Sequence, residues 1–218
     1  MSEQGSTAPA ALDRRVVALF SAIAYGELAA YFRMSADAAA APSINHSASL
    51  ARLATIEFSH YYDIANFLDR HGVDVELHLS QFAKTFESFH DRTKPSNWNE
   101  SLMKAYVGDS IAIDFFRSLA EHLEGEAKDL VLQVSDSDEH HEFLVTTLSE
   151  IIAQDVREAG RLALWARRLV GEAFAQAQAI AAEHQELFDI LSEIDLSKTF
   201  KLLTERHTHR MQTLGLAP

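Results

Sequence analysis

Eight glycines and four prolines in 218 residues leave this chain too few turn residues for a many-stranded fold. Apolar residues instead recur every three to four positions over long stretches rich in Ala, Leu, Glu and Gln, which is the pattern and the composition of long helices. The periodicity predicts helices over 12–34, 43–71, 99–124, 126–152, 156–184 and 196–214, with a short one over 79–89. An Ala-rich connection ending at Pro42 follows the first. Ser43 suits the N-cap of the second, Gly72 its stop, and Lys94-Pro95-Ser96-Asn97 forms a turn cluster ahead of the third. The fold class expected is all-α: a four-helix bundle with one long crossover between its second and third helices, plus additional C-terminal helices. Residues 1–10 are expected to be disordered and 11–218 to form a single domain.

With 47% hydrophobic residues the chain lies in the globular class. The absence of cysteine removes disulfides, cysteine nucleophiles, iron–sulfur clusters and thiolate zinc sites, so any metal must be held by His and carboxylate. No apolar run approaches the roughly 18 uninterrupted residues of a membrane span, and residues 1–10 have no signal-peptide pattern, so a cytoplasmic protein without a membrane partner is expected. The net charge of −13 repels phosphate backbones on average.

Helical positions three, four and seven apart share a face, so the centre of each apolar stripe can be read directly. In the first helix the stripe is Phe20, Ile23, Ala24, Glu27, Ala30, Tyr31, Met34, and in the second Leu50, Leu53, Ala54, Glu57, His60, Tyr61, Ile64, Phe67. The third gives Leu102, Ala105, Tyr106, Asp109, Ala112, Ile113, Phe116, and the fourth Val131, Val134, Asp138, His141, Val145, Leu148, Ile152. The four helices therefore carry acid, acid-x-x-His, acid, acid-x-x-His in turn. A single acid or histidine on such a stripe is ordinarily a hydrogen-bonded core residue, and acid-x-x-His is a cheap motif. A third copy, Glu87-x-x-His90, shares its face with Ser80, Lys84, Asp91 and Lys94 and reads as solvated. The conjunction is what carries weight. Four bare carboxylates facing one core would each cost several kcal/mol, against a net stability of about 5 to 15 kcal/mol for a domain. Arg52, Arg70, Lys104, Arg117 and Lys128 fall on other faces. Two divalent cations would balance the four acids, with neutral imidazoles as further ligands. This oxygen and nitrogen donor set suits two iron ions, with manganese or a mixed iron–manganese pair as the alternative, and implies chemistry with O₂ and an unidentified electron donor. Tyr31, Tyr61 and Tyr106, one turn from these ligands, read as core packing or as hydrogen-bond partners behind them.

At AYGELAAYF around Glu27, TIEFSHYYD around Glu57 and His60, KAYVGDSIAIDFFR around Asp109 and SDEHHEF around Asp138 and His141, the sequence resembles the ferritin-like diiron carboxylate proteins. Within them it looks most like the tRNA-(2-methylthio-N6-isopentenyladenosine) hydroxylase-like branch, including ferritin-like proteins of actinobacteria, and GRLALWARRLVGEAFAQAQ and LTERHTHRMQTLGL extend the likeness over nearly the whole chain. The resemblance implies that Glu27 and Asp109 are terminal ligands, Glu57 and Asp138 bridging or near-bridging carboxylates, and His60 and His141 terminal nitrogen ligands. The wider family has Glu where this chain has Asp109 and Asp138, one methylene shorter. Glu142 is the first stand-in to consider; Asp114 is the second, though it is better explained as a surface partner of Arg117 at i, i+3.

Two functions compete at this level. One is a diiron monooxygenase hydroxylating a substrate C–H bond, with a modified tRNA base as the substrate the resemblance implies. The other is a metal-binding bundle with an oxidase, iron-handling or non-catalytic role. For tRNA, Arg161, Arg167 and Arg168 with Lys201, Arg206 and Arg210 offer a local basic surface, though such residues are ordinarily just solvated. The fifth helix has its own stripe, Ala159, Leu162, Ala166, Leu169, Ala173, Ala177, Ile180, expected to pack outside the bundle. Trp165 and Phe174 beside it are expected either to cover the bundle or to form a self-association surface, which makes a dimer one option.

Overall fold

The computed structural model describes residues 12–135 and 138–218, the side chains of 138–141 and of Leu191 excepted. The helices in it are α1 (Arg14–Ala39), α2 (Ile44–Arg70), α3 (Val75–Ser80), α4 (Ala83–Arg92), α5 (Trp98–Ala120), α6 (Gly125–Val134), α7 (Asp138–Gln154), α8 (Val156–Glu183), α9 (Gln185–Glu193) and α10 (Leu196–Thr213). No strand occurs among the described residues. Short polar side chains open the longest helices by accepting from otherwise unpaired first-turn N–H groups: Asp13 from Arg15, Ser43 from His46, Asn97 from Glu100, Asp155 from Arg157 and Glu158, and Asp195 from Lys198. Gly72, at φ 74°, takes the left-handed conformation that ends α2.

The bundle is α1, α2, α5 and the α6–α7 pair. Phe20 against Phe67, at 5.0 Å, and Tyr31 against Phe58, at 5.1 Å, set α2 antiparallel to α1. Ser101 Oγ donates to Asp37 Oδ1 at 2.9 Å and so joins the start of α5 to the end of α1. The crossover is not a loose link with one short helix over 79–89: it folds into α3 and α4, and α4 packs against α1 and α8. α1 runs five residues past its expected end because Ala36, Ala38 and Ala39 continue a helix at no cost and Ala38 is buried. The expected fourth helix is broken after Val134. Ser135 caps α6, its hydroxyl donating to the Val131 carbonyl at 2.7 Å, while Arg117 donates to the Ser135 carbonyl at 2.8 Å.

By length and composition α1 is apolar enough to cross a bilayer. In this fold it is a bundle helix whose Phe20, Ile23 and Ala24 are fully buried and whose Glu27 sits midway.

The apolar core is two clusters. One joins Met34 and Ala38 to Leu50, Leu53, Leu102, Met103, Leu144 and Leu148, and the other joins Leu19, Phe20 and Ile23 to Ile64, Phe67, Leu68, Leu119, Val131 and Val134. On α1 and α2 the residues between them include Glu27, and Glu57 with His60, and on the α6–α7 pair the positions of Asp138 and His141; on α5 Asp109 stands beside Val107 and Ile111 of the first cluster.

Helices α8 to α10 complete the core rather than decorate it. Leu162, Ala166 and Leu169 of α8 are buried against the first cluster, and Trp165 is buried with its Nε1–H donating to the Glu100 carbonyl at 3.0 Å, so Trp165 covers the bundle and offers no self-association surface. Asp114 is not a surface partner of Arg117. It is buried at 2% side-chain exposure and accepts from Arg206 Nη1 and Arg210 Nη1, each at 2.6 Å, which ties α10 to α5. Replacing Asp114 with Ala is expected to cost about 2 to 3 kcal/mol, less than the full penalty for orphaning a buried charge because both guanidiniums reach water. Urea unfolding measures this, and a loss below about 0.5 kcal/mol, the size of an ordinary surface change, would show that the contact does not hold α10.

Candidate metal centre

Glu27 of α1 and Glu57 and His60 of α2 each bring one ligand atom within 4.8 Å of the others. Antiparallel pairing of α1 and α2 does this, since the register that stacks Phe20 on Phe67 also sets Glu27 opposite His60, whose Nδ1 is 3.4 Å from Glu27 Oε2. The group is almost dry: Glu57 is 4% exposed, and the Glu27 and His60 side chains 11% and 13%. Burial pushes the Glu27 carboxyl up to about 7, a hydrogen bond with Glu57 works against that rise, and the nearby Asp109 charge adds to it. Oε2 of Glu27 is buried without a hydrogen-bond partner, and no Lys or Arg pairs with Glu27 among the described residues. A buried carboxylate oxygen facing an imidazole and a second carboxylate, with no cation to answer it, fits a metal ligand.

Asp109 of α5, half-buried, lines the same cavity as Glu27 and Glu57. Asp138 and His141 lie on the first turn of α7, between Val134 of one apolar cluster and Leu144 of the other, and their side chains are outside the described residues. Neither stand-in joins the group: Glu142 is exposed and Asp114 is committed to Arg206 and Arg210. Tyr31 and Tyr61 pack around Phe58 at 5.1 and 5.6 Å, and Tyr106 is buried in the first cluster, where burial raises its phenol.

The cavity beside these acids measures about 310 Å³ and has an almost wholly apolar wall. Ala22, Gly26 and Ala30 of α1 face Ala105, Gly108 and Ala112 of α5 across it, so two helices packed in one bundle leave open space where larger side chains would meet. A Cβ on Gly108 would touch nothing within 4 Å, whereas one on Gly26 would press on the Phe86 ring at 3.2 Å. Helices α4, α8, α9 and α10 roof the cavity through residues such as Phe89, Phe174, Ile190 and Leu203.

The cavity also holds residues that the stripe reading placed elsewhere. His90 is not solvated: Glu87 is exposed, but His90 turns inward, its Nδ1 3.2 Å from Lys104 Nζ, and both line the cavity with Arg33. The apolar stripes face the bundle axis, while Lys104 projects from α5 toward α4. The small residues Ala105, Gly108 and Ala112 beside it were the available signal of a void on that side.

The proposed basic surface is largely spent inside the chain. Arg161 bonds Glu100 and Glu158, Arg167 the Pro218 carbonyl and Arg168 the Arg92 carbonyl; Arg206 and Arg210 hold Asp114, and Lys201 faces Glu205 at 3.8 Å.

A crossover bundle with acids and a histidine buried between two apolar clusters is the ferritin-like arrangement. The chain belongs to the family described as the ferritin-like domain of actinomycetes, whose model matches residues 10–194. No curated protein matches the sequence. Among solved structures it is similar to "Protein 19 with aldehyde deformylating oxidase activity" from Synechococcus, at 19% identity and a TM-score of 0.72 over 93% of this chain and 90% of that one. At that identity the likeness speaks for the fold.

The raised Glu27 carboxyl binds its proton more tightly in the folded chain than in the unfolded one, so the metal-free protein is expected to lose stability as pH rises from 4.5 to 7. The contribution of Glu27 to that loss is about 3 kcal/mol at most. Glu27→Gln, neutral throughout, should flatten this part of the profile in parallel urea titrations of the two metal-free proteins; identical profiles would remove the buried-charge account of Glu27.

Proposed function

We propose that this chain is an O₂-activating dinuclear metal enzyme that oxidises an apolar small molecule held in the bundle cavity. The observation that carries this reading is that Glu27, Glu57 and Asp109 open onto a deep apolar cavity of about 310 Å³, within the size range of small-molecule sites. Glu27, Glu57, His60, Asp109, Asp138 and His141 would hold the pair, with iron first and manganese or a mixed pair second. When bound, the metals supply the redox chemistry with O₂. The chain does the rest. His60 and the acids would supply the nitrogen and oxygen donors, and Glu27, whose carboxyl burial raises to about 7, would bind as the carboxylate. The apolar roof keeps water from the reacting carbon, and the cavity wall positions it. Insertion of one oxygen atom into a C–H bond consumes O₂, two electrons and two protons and releases water, so an external electron donor is required, as a cytoplasmic setting would provide.

The hydroxylase-like resemblance offers an isopentenyl-bearing tRNA base as a rival substrate. The carboxylates that hold Arg161, Arg206 and Arg210 and the backbone oxygens that hold Arg167 and Arg168 draw on the donors a phosphate backbone would need, which favours the small molecule.

After anaerobic loading with ferrous iron, metal analysis is expected to find about two ions per chain, and less than half of that in His60→Ala or Glu27→Ala, with the helical circular dichroism retained. His90→Ala should load normally. Fewer than about 0.5 ions in the folded wild-type chain would overturn the dinuclear reading. Substrate class is then read by mass spectrometry after incubating the loaded protein, O₂ and a reductant with lipid extract or with bulk tRNA. New oxygenated adenosines in the tRNA, with no lipid product, would replace the small-molecule reading by the tRNA one.

A further inference from the structure

The cavity has two chemically different ends. Beyond Glu27 and Asp109 in one direction its wall is apolar, with Leu19, Ile23, Phe115 and Leu119. In the other direction it meets Arg33 and Asp37 of α1, Ser101 and Lys104 of α5 and His90 of α4. Lys104 Nζ donates to the Thr93 carbonyl at 2.8 Å and lies 3.2 Å from His90 Nδ1. An ammonium only donates, so Nδ1 accepts and the neutral ring carries its proton on Nε2. The ring is neutral because burial, with the charges of Lys104 and Arg33, holds His90 down at about 3. Nε2 is buried and has no hydrogen-bond partner among the described residues. Lys104 has a third N–H to give and no carboxylate within 4 Å among the described residues, and burial, with Arg33 adding and Asp37 opposing, lowers it to about 8. Arg33, exposed at the mouth, makes no ion pair among the described residues. Asp37, the acid at this end, accepts from Ser101 Oγ and offsets one of the two cations, leaving a single net positive charge.

We infer that the Lys104, His90 and Arg33 end of the cavity binds the carboxylate head of a long-chain amphiphile, whose tail runs past the acid cluster into the apolar end. A carboxylate is acceptor-only and singly charged, which matches the two sheltered donors of Lys104 and His90, the exposed guanidinium of Arg33 and one unbalanced positive charge better than a dianionic phosphate would. The arrangement also fixes which part of the ligand faces the metal ligands. Arg33 and Glu27 are six residues apart on α1, about 9 Å along the helix, so the acids look onto an internal methylene rather than onto the head. This deepens the proposed function, resting on it only for what happens to that methylene; the head-group site itself is tested on metal-free protein.

The experiment is calorimetric titration of the metal-free full chain with dodecanoate, dodecanol, acetate and dodecyl phosphate. Dodecanoate is expected to bind, acetate not to bind, and Lys104→Met to weaken dodecanoate by about tenfold or more, the loss of one charge-assisted hydrogen bond, while changing dodecanol by less than about threefold. Should Lys104→Met lose its helical signal, Arg33→Gln replaces it, an exposed change expected to weaken dodecanoate about threefold and to spare dodecanol. Absence of dodecanoate binding, equal loss of dodecanoate and dodecanol in the variant, an unchanged variant, or tighter binding of dodecyl phosphate than of dodecanoate would each overturn the inference. Any of these results beside normal iron loading would leave the dinuclear reading standing, and failure of iron loading beside dodecanoate binding would do the reverse.

Discussion

Carboxylates buried in the middle of a helical bundle impose most of what is seen in this protein. Glu27 and Glu57 are held almost out of reach of water, and Glu27 Oε2 accepts no hydrogen bond among the described residues, with only the His60 ring, 3.4 Å away, to answer it. An apolar core that ran unbroken through the bundle would have no place for them. The core is accordingly divided, with Met34, Leu53, Leu102 and Leu148 on one side and Phe20, Ile64, Leu119 and Val131 on the other. Each cluster brings in residues from α1, α2, α5 and the α6–α7 pair, so the two together hold the helices in the register that faces Glu27 with His60. The unfavourable charge is sustained by the packing at either end, and that cost is one a bound cation would relieve.

The C-terminal helices serve the same site from outside. A four-helix bundle with Ala and Gly on the facing sides of α1 and α5 would leave its cavity open to water. Helix α8 closes it through residues such as Leu169 and Ala173, and α10 is held over α5 by Asp114 with Arg206 and Arg210. Here a buried acid has its countercharge supplied by the chain, in direct contrast to Glu27. The two acids lie on neighbouring helices of one fold and differ in what answers them: guanidinium in one case, a donor set suited to a metal in the other.

The cavity joins these themes. Its apolar length, the acids at its middle and the Lys104–His90 pair at one end are arranged along the single direction set by α1 and α5. A ligand lying along it would be oriented by its own polarity, with the head at the donors and the tail away from them. Position along the chain, rather than reactivity alone, would then select the carbon presented to the acids, which is how binding energy remote from a reacting centre confers selectivity.

Much of this was legible in the residues alone. The helical class, the crossover bundle and the placing of Glu27, Glu57, His60 and Asp109 at stripe centres follow from periodicity, because helical geometry ties spacing in sequence to direction in space. The break after Val134 has its cause in Ser135, whose hydroxyl turns back to the Val131 carbonyl, and apolar spacing does not show it because the spacing continues across the break. What periodicity could not supply was the partner of each side face. Asp114 looks like a surface residue until α10 brings two arginines to it from 92 and 96 residues away. His90 looks solvated on its own helix until α5 brings Lys104 against it, and Lys104 looks harmlessly off-axis until α4 covers it. A stripe records only the direction in which a helix buries its apolar face. Which charge meets which, and whether a gap between small residues becomes a roofed cavity, depends on contacts between segments far apart in the chain, and those exist only in the folded molecule.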